Sequence, residues 1–177
     1  MSDGPINEAG QRLTIVREHI RLENAHDLTG VMDTFGPDAT YDDEPWDEHH
    51  LGREAVQSFY QQLISVLPNL HIDVRKEHLT PDAIIVECVI SGTHKASWRG
   101  LPATGRRIEF PVCGVYSFAA DGKLAGEKIY YDRATILRQL GVFRESTNRS
   151  GKLFLFVNHP INIVTAWLRD SLKKDLQ

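Results

Sequence analysis

The sequence has little that would direct the chain to nucleic acid or to a membrane. Its formal net charge is -4, so it lacks the basic surface that nucleic-acid-binding proteins carry. Its longest apolar run is the segment 153–157, far below the roughly 20 residues that span a bilayer. The first residues are polar and lack the apolar segment of a signal peptide. We therefore expect a cytoplasmic protein that binds neither nucleic acid nor a membrane.

Cysteines and the common catalytic motifs are also scarce. Only Cys88 and Cys113 are present, and both lie in apolar, strand-like segments, where free buried thiols are more common than a disulfide. The sequence contains no P-loop, GxGxxG motif, nucleophile elbow or Ser-His-Asp order. We therefore expect neither a cofactor nor a metal.

The length of 177 residues suits one domain with an extension. We expect a disordered start at residues 1–8, a folded domain at 9–143, and a polar linker with a C-terminal amphipathic helix at 144–177. That helix packs either on its own domain or on a second subunit. Its apolar stripe is formed by Ile161, Val164, Leu168 and Leu172.

Hydrophobic periodicity places helices in the first part of the chain and strands in the middle. Helical spacing predicts a helix at 9–26, a short helix between Asp27 and Gly36, and a third helix that ends at Pro68. Helices followed by hairpin-connected strands are typical of an α+β fold. Long strands that curl around a helix enclose a cone with a lined interior. The predicted strands are 39–41, 71–78, 83–96, 106–118 and 123–132.

Asp132 lies where a predicted strand, ending in Tyr130 and Tyr131, passes into a short helix that closes at Gly141. An aspartate at such a junction is typical of a helix N-cap. A carboxylate at the end of a strand also suits a general acid/base that faces a cavity. Strand alternation puts Tyr130 on the face of Asp132 and Tyr131 on the opposite face, so Tyr130 is the expected cavity wall.

His94 follows a strand whose alternation places it on the face of Ile84, Val86 and Cys88. A histidine at the end of an apolar face is either a hydrogen-bonded core residue or a group of the pocket. In the pocket it would donate a hydrogen bond to a developing oxyanion or hold Asp132 in place.

The segment 42–50 contains five carboxylates and two histidines. Their spacing fits neither an EF-hand nor the i, i+4 histidine pair of a helical zinc site. We expect a solvated loop over the mouth of the cavity, with Trp46 as an apolar lid. A second proton-transfer group from Asp42 or His50 is the alternative.

Aromatic residues supply further candidates for the cavity wall. Tyr116, Phe118 and Phe110 alternate on one strand face and are either lining or core. The residues expected to contact a substrate are Tyr130, Tyr116, Trp46, Phe35, His50 and Phe118.

Short segments occur in a characteristic order: FGPDATY at 35–41, GREAV at 52–56, GTH at 92–94 with GLPATGR at 100–106, and the stretch 130–141. In this order and spacing they resemble the SnoaL-like polyketide cyclases, also called ester cyclases. This family belongs to the superfamily of nuclear transport factor 2 and ketosteroid isomerase. The C-terminal part of the chain lies outside the resemblance.

The resemblance implies a cone-shaped α+β barrel (nuclear transport factor 2-like, cystatin-like), in which a curved antiparallel sheet wraps around helices and encloses a deep apolar pocket. Family cyclases close a ring of an aromatic polyketide methyl ester by intramolecular aldol condensation, without cofactor or metal. The acid/base aspartate of the family maps onto Asp132, and the histidine of its Gly-Thr-His motif maps onto His94. The resemblance also implies a homodimer and an apolar or aromatic small molecule as substrate.

Three functions follow as alternatives. The expected one is a cofactor-free cyclase, lyase or isomerase that acts on a polyketide-like molecule. The second is an epoxide hydrolase of the same fold, which needs a carboxylate–arginine–carboxylate arrangement around a water; alternation puts Glu87 and Glu109 on the outer face and leaves only Asp132 for it. The third is a non-catalytic module for small-molecule binding or dimerisation, favoured if Asp132 only caps its helix.

Overall fold

The computed structural model describes residues 5–143, which form four helices and a curved six-stranded sheet. This arrangement confirms the α+β fold class. The linker and helix expected at 144–177 lie outside the described residues, as do residues 1–4. No helix within residues 5–143 is long and apolar enough to cross a membrane.

The helices follow the predicted order, with a different start for the first. Helix α1 begins at Pro5, four residues before the predicted position, because the fixed φ of proline suits the first turn of a helix. Helix α2 is capped by Asp27, whose side chain accepts a hydrogen bond of 3.0 Å from the backbone N–H of Gly30. The four helices are α1 (Pro5–Asn24), α2 (Leu28–Thr34), α3 (Arg53–Val66) and α4 (Arg133–Leu140).

The six strands form a single sheet in the order β2-β1-β6-β5-β4-β3. Neighbouring strands are antiparallel except β1 and β6, which are parallel. The sheet therefore has one parallel pair among its described strands, where hairpins alone predict an antiparallel sheet. The strands are β1 (Phe35–Asp43), β2 (Glu48–Leu51), β3 (His71–Leu79), β4 (Ala83–Thr93), β5 (Arg107–Phe118) and β6 (Leu124–Tyr131).

Strand β1 is longer than predicted at both ends. Phe35 belongs to it rather than to the second helix, and Asp43 at its other end pairs with Glu48 of β2. A short 3-10 helix at Glu44–Trp46 joins β1 to β2 where a longer solvated loop was expected. Because side chains alternate along a strand, Asp43 shares the inward face of Tyr41, and both are buried.

The core lies on the face of the sheet that α1 and α3 cover. Val16 of α1, Val56 of α3 and Ile84 of β4 are fully buried there. On β4 the predicted alternation is confirmed, since Ile84, Val86 and Cys88 are buried and Glu87 is exposed. Cys88 and Cys113 are free thiols, as expected.

Candidate active site

An apolar cavity lies between the sheet and helices α3 and α4. Its empty volume is about 580 Å³, including the open mouth. Four polar side chains reach its wall, from Tyr41, Asp43, His94 and Tyr131. The apolar wall includes Phe59, Leu63, Ile90, Phe110, Ile129 and Ile136.

Asp43 is the carboxylate of this cavity. It is only 2% exposed. The hydroxyl of Tyr131 donates to its two oxygens, at 2.8 Å to Oδ1 and 3.0 Å to Oδ2, and Arg99 donates to Oδ2 at 2.9 Å. Burial raises the pKa of Asp43 because it disfavours the charged form, while Tyr131 and Arg99 oppose part of that rise.

Arg99 reaches Asp43 from a tight hairpin turn. Trp98 and Leu101 exchange backbone hydrogen bonds of 2.9 and 2.8 Å, and the two residues between them have positive φ, 50° at Arg99 and 79° at Gly100. Such a pair of φ values belongs to a two-residue I′ turn, which favours asparagine or glycine at both positions. Arginine in the left-handed region is strained, so the contacts of its side chain hold it there.

Two tryptophans and a second carboxylate complete the surroundings of Arg99. Its guanidinium lies 4.3 Å from the ring centroid of Trp46 and 4.7 Å from that of Trp98. It donates to Glu48 as well as to Asp43. We call Asp43, Glu48, Arg99 and Tyr131 the arginine cluster. Its guanidinium binds two carboxylates at once.

His94 supplies a hydrogen-bond donor to the same cavity. Its ring is 1% exposed, and its Nδ1 accepts a hydrogen bond of 3.2 Å from the backbone N–H of Thr104. In the neutral ring the proton is therefore on Nε2, which is buried and has no hydrogen-bond partner within residues 5–143. Burial lowers the pKa of His94, so the ring is a neutral donor at pH 7.

A second group of buried polar side chains lies deeper in the fold. We call His19, Glu23, Tyr60 and Glu127 the histidine cluster. Tyr60 donates to Glu127 Oε2 at 2.6 Å. Burial raises the pKa of Glu23 to about 8. Burial alone would lower the pKa of His19, but the two carboxylates outweigh it and raise that pKa.

A smaller cavity borders the histidine cluster. Its empty volume is about 370 Å³, and Glu23, Glu127 and Tyr116 border it. Tyr41 and Leu63 line both cavities. The interior of the fold thus contains two adjoining spaces, one beside each cluster of charges.

Comparison with known proteins identifies this architecture. The family model of the SnoaL-like polyketide cyclases matches residues 13–140, most of the chain. The chain belongs to the SnoaL-like polyketide cyclase family. A comparison with curated proteins gives no significant match.

Several solved structures are similar to this chain in fold. IdmH from Streptomyces antibioticus, a candidate polyketide cyclase, is 27% identical; the alignment covers 75% of this chain and 99% of IdmH, with a TM-score of 0.61. AclR from Streptomyces galilaeus, a candidate hydroxylase, is 20% identical, with 76% and 98% covered and a TM-score of 0.66. SalBIII, an epoxide hydrolase/cyclase-like enzyme in pyran ring formation in the polyether salinomycin, is 17% identical, with 71% and 94% covered and a TM-score of 0.61.

Asp132, onto which the family's aspartate maps, does not face the cavity of this SnoaL-like chain. Its side chain is 57% exposed and caps α4, since the N–H of Ala134 donates to Oδ1 at 2.9 Å and Thr135 Oγ1 donates to Oδ2 at 2.7 Å. Arg138 donates to Oδ2 at 3.1 Å. The Thr135 hydrogen bond, the Ala134 amide and Arg138 lower the pKa of Asp132. The expected cavity-facing position is wrong because the Ala134 amide, the Thr135 hydroxyl and Arg138 hold the carboxylate outside.

Tyr130 follows Asp132 to the outer face. It is 46% exposed, whereas Tyr131 lines the cavity. The prediction that the two tyrosines lie on opposite faces is confirmed, but the assignment of the inner face to Tyr130 is wrong. Along β6 the inward positions are Glu127, Ile129 and Tyr131.

The other predicted residues are spread over the fold. His94 lines the main cavity and Tyr116 lines the smaller one. The remaining residues lie elsewhere: Trp46 covers Arg99, His50 packs on Phe59 with ring centroids 4.7 Å apart, Phe35 packs on His19 at 5.2 Å, and Phe118 lies under Arg12. These four residues contact protein groups instead of the wall of the main cavity.

Sequence reasoning missed all four members of the arginine cluster as site residues, because Tyr131 was expected on the outer face of its strand. Asp43 and Glu48 were counted among solvated loop charges, and Arg99 lay in a predicted loop. The available signal was the alternation of Ala39, Tyr41 and Asp43, which continues the inward face of β1 for two residues beyond the predicted strand.

Proposed function

We propose that the chain is a cyclase-type enzyme that closes a ring of an apolar, polyketide-like carbonyl compound, with Asp43 as its general acid/base. One observation carries the proposal: a buried carboxylate of raised pKa lies on the wall of an apolar cavity. A carboxylate in such a place accepts and returns a proton more readily than an exposed one, because its pKa is closer to the working pH.

The reaction balances with one proton carried by Asp43. Asp43 removes the proton from the carbon beside a substrate carbonyl, which leaves an enolate. The enolate carbon forms a bond to a second carbonyl carbon, and the electron pair of that carbonyl moves to its oxygen. The alkoxide so formed takes the proton back from Asp43, which regenerates the carboxylate. The apolar walls hold the chain of the substrate in a conformer in which the two carbons meet.

His94 and Tyr131 take supporting roles in this proposal. The Nε2–H of His94 is a buried donor without a partner in the described fold, and a donor of this kind stabilises a developing oxyanion. Tyr131 fixes the orientation of Asp43 through its hydroxyl. Family membership supports cyclase-type chemistry in general, while the assignment of Asp43 depends on the geometry of this chain.

The test compares two nearly isosteric variants, Asp43→Asn and Asp132→Asn, with a tricyclic aromatic polyketide methyl ester as substrate. We expect turnover to fall by about 10²-fold or more in Asp43→Asn, the usual effect of a general base. Asp132→Asn serves as the matched control and keeps its turnover, because the exposed cap does not face the cavity. Full activity in Asp43→Asn, or loss of activity in Asp132→Asn alone, would contradict the proposal.

A second candidate function is the addition of water to an epoxide. It is favoured by the placement of Arg99 between Asp43 and Glu48, the carboxylate–arginine–carboxylate arrangement that strand alternation does not reveal. One of the two carboxyl groups, Asp43 or Glu48, is ionised and takes a proton from water, whose oxygen attacks an epoxide carbon. The other is protonated and gives its proton to the epoxide oxygen as the three-membered ring opens. An adjoining cavity of about 400 Å³ empty volume borders Glu48 and Arg99. Glu48→Gln distinguishes the two functions, since it removes epoxide hydration and leaves ring closure.

The binding-module alternative meets the condition set for it, because Asp132 caps its helix. Asp43 now supplies the carboxylate that an enzyme of this kind needs. Binding of the polyketide ester without turnover in the wild type would favour the module again.

A further inference from the structure

Three potential metal ligands meet in the histidine cluster. His19, Glu23 and Glu127 each offer one ligand atom, and these three atoms lie within 4.8 Å of one another. Nε2 of His19 lies 3.6 Å from the Glu23 oxygen and 3.4 Å from the Glu127 oxygen. In a tetrahedral zinc site with bonds of roughly 2.0–2.1 Å, neighbouring ligand atoms lie about 3.4 Å apart. Both separations already fit the edges of such a tetrahedron.

One oxygen of this group, Oε2 of Glu23, has no hydrogen-bond partner in the described fold. Glu23 is 7% exposed, and its Oε2 accepts no hydrogen bond within residues 5–143. His19 Nε2, at 3.6 Å, lies beyond hydrogen-bonding distance. A buried carboxylate oxygen without a partner is costly, and a bound cation would satisfy it.

The ring of His19 is oriented as a metal ligand would be. Nδ1 lies 2.7 Å from Oγ1 of Thr34, and that hydroxyl donates its own hydrogen to the carbonyl of Val31 at 2.6 Å. Nδ1 must therefore carry a proton and donate it to Thr34. Nε2 lies 3.1 Å from the hydroxyl of Tyr60, whose own hydrogen goes to Glu127, so Nε2 also carries a proton in the metal-free protein. A metal ion that binds Nε2 displaces this proton. A histidine whose second nitrogen is fixed by a hydrogen bond is the usual arrangement around protein metals.

The ligands come from two rigid elements. His19 and Glu23 are separated by four residues of α1 and so share one face of that helix. Glu127 lies on β6, which pairs with β1 on one side and with β5 on the other. Three protein ligands leave a fourth position open, and Glu23 and Glu127 also border the smaller cavity. Imidazole nitrogen with carboxylate oxygens suits zinc and similar first-row ions better than calcium or magnesium.

We propose that His19, Glu23 and Glu127 form a binding site for one divalent transition-metal ion, with Zn²⁺ as the representative ion. The proposal goes beyond the ring-closing function and does not depend on it, because Asp43 lies in the other cavity. It also differs from the expectation that the chain binds no metal. That expectation considered the segment 42–50, whereas the site combines a helix with a distant strand.

The test uses the full-length protein, stripped of metal with a chelator and dialysed. Titration with Zn²⁺ by calorimetry is expected to give one ion per chain, and Co²⁺ is expected to give the intense visible absorption of a four-coordinate site. Glu23→Gln preserves the shape of the side chain and removes the carboxylate that would bind the ion. We expect the affinity for Zn²⁺ to fall at least about tenfold, the smaller of the losses seen when groups around a metal are removed.

His49→Gln is the matched control for binding at the surface. His49 lies 2.8 Å from Asp42 and 3.5 Å from Asp47 in an exposed position, so it is the place where adventitious zinc would bind. We expect this variant to keep the stoichiometry and affinity of the wild type. The proposal fails if the wild type binds no Zn²⁺, or if binding survives Glu23→Gln and is lost in His49→Gln. If Glu23→Gln does not fold, the Co²⁺ spectrum of the wild type tests the proposal instead. A weak spectrum, typical of octahedral Co²⁺, would overturn it.

Discussion

The arginine cluster and the histidine cluster each hold one cationic side chain between two carboxylates, yet they are built differently. Arg99 lies between two tryptophan rings and binds Glu48, whose side chain is 40% exposed. His19 is fully buried, can lose its charge, and faces Glu23 and Glu127, which are also buried. One cluster is in contact with solvent and the other is enclosed by the core.

This difference separates Asp43, which a substrate can reach, from the histidine cluster, whose buried charges must compensate one another. Asp43 has hydrogen-bond donors on both of its oxygens and still faces an apolar cavity, so a substrate can meet it without leaving a charge unpaired. In the histidine cluster an oxygen of Glu23 has no donor in the described fold. Any change there disturbs buried charge that water does not reach. We therefore expect changes in the histidine cluster to affect stability most and changes in the arginine cluster to affect activity most.

Removing each cation tests that comparison and gives the largest expected effect. His19→Leu leaves two buried carboxylates without a cation and should lower the free energy of unfolding by about 3–5 kcal/mol. Arg99→Gln should cost less, about 1–3 kcal/mol, because Tyr131 still donates to Asp43 and Glu48 still reaches water. Urea unfolding in the presence of a chelator measures both values without a contribution from bound metal. Equal losses, or a larger loss in Arg99→Gln, would break the comparison.

Deleting one hydroxyl from each cluster should lower the free energy of unfolding by less than removing the cation does. The loss should again be larger in the histidine cluster than in the arginine cluster. Tyr60 donates to Glu127 at 2.6 Å in the buried cluster, so Tyr60→Phe should lower the free energy of unfolding by about 1–3 kcal/mol. Tyr131→Phe should cost about 0.5–1.5 kcal/mol, since Arg99 continues to bind Asp43. The pair is matched, because each variant removes one oxygen atom that donates to a carboxylate. The same unfolding measurement checks it, and a greater loss in Tyr131→Phe would refute it.

Much of the fold could be predicted because it depends on local patterns. Helical spacing and strand alternation are properties of short segments, and both the order of elements and the inward face of β4 follow from them. The same alternation puts His94 on the inward face, and the structure places it in the wall of the cavity. The error at Tyr130 and Tyr131 has a single cause: the face was chosen from Asp132, which leaves the strand and caps α4.

The two clusters could not be predicted in the same way, because their members lie far apart in the chain. Asp43 is buried with the help of Arg99, which is 56 residues away. The spacing of His19 and Glu23 is visible on one helix, but Glu127 joins them only through the pairing of β6 with β1 and β5. Burial of charge is a property of the assembled sheet, so a sequence that reads locally as a solvated loop can supply a buried carboxylate.

The smallest expected effect is a shift in the pH dependence of turnover within the arginine cluster. Asp43 accepts a proton only when ionised, so kcat/KM should fall as the pH drops through the pKa of its carboxyl group. Burial raises that pKa above the ordinary value of 3.8, and the acidic limb of the profile should lie correspondingly above the pH expected for an exposed aspartate. The attraction of Arg99 lowers the pKa and the repulsion of Glu48 raises it.

Two variants should therefore move the acidic limb in opposite directions. Arg99→Gln removes the attraction, raises the pKa of Asp43 and moves the limb to higher pH. Glu48→Gln removes the repulsion, lowers the pKa and moves the limb to lower pH. The same changes should not occur in Asp132→Asn, whose carboxyl is exposed and bonded to α4. The measurement is kcat/KM against pH for the wild type and the three variants. Shifts of the same sign in Arg99→Gln and Glu48→Gln would mean that Asp43 is not the group that titrates, since opposite charges beside one carboxylate must act on it with opposite signs.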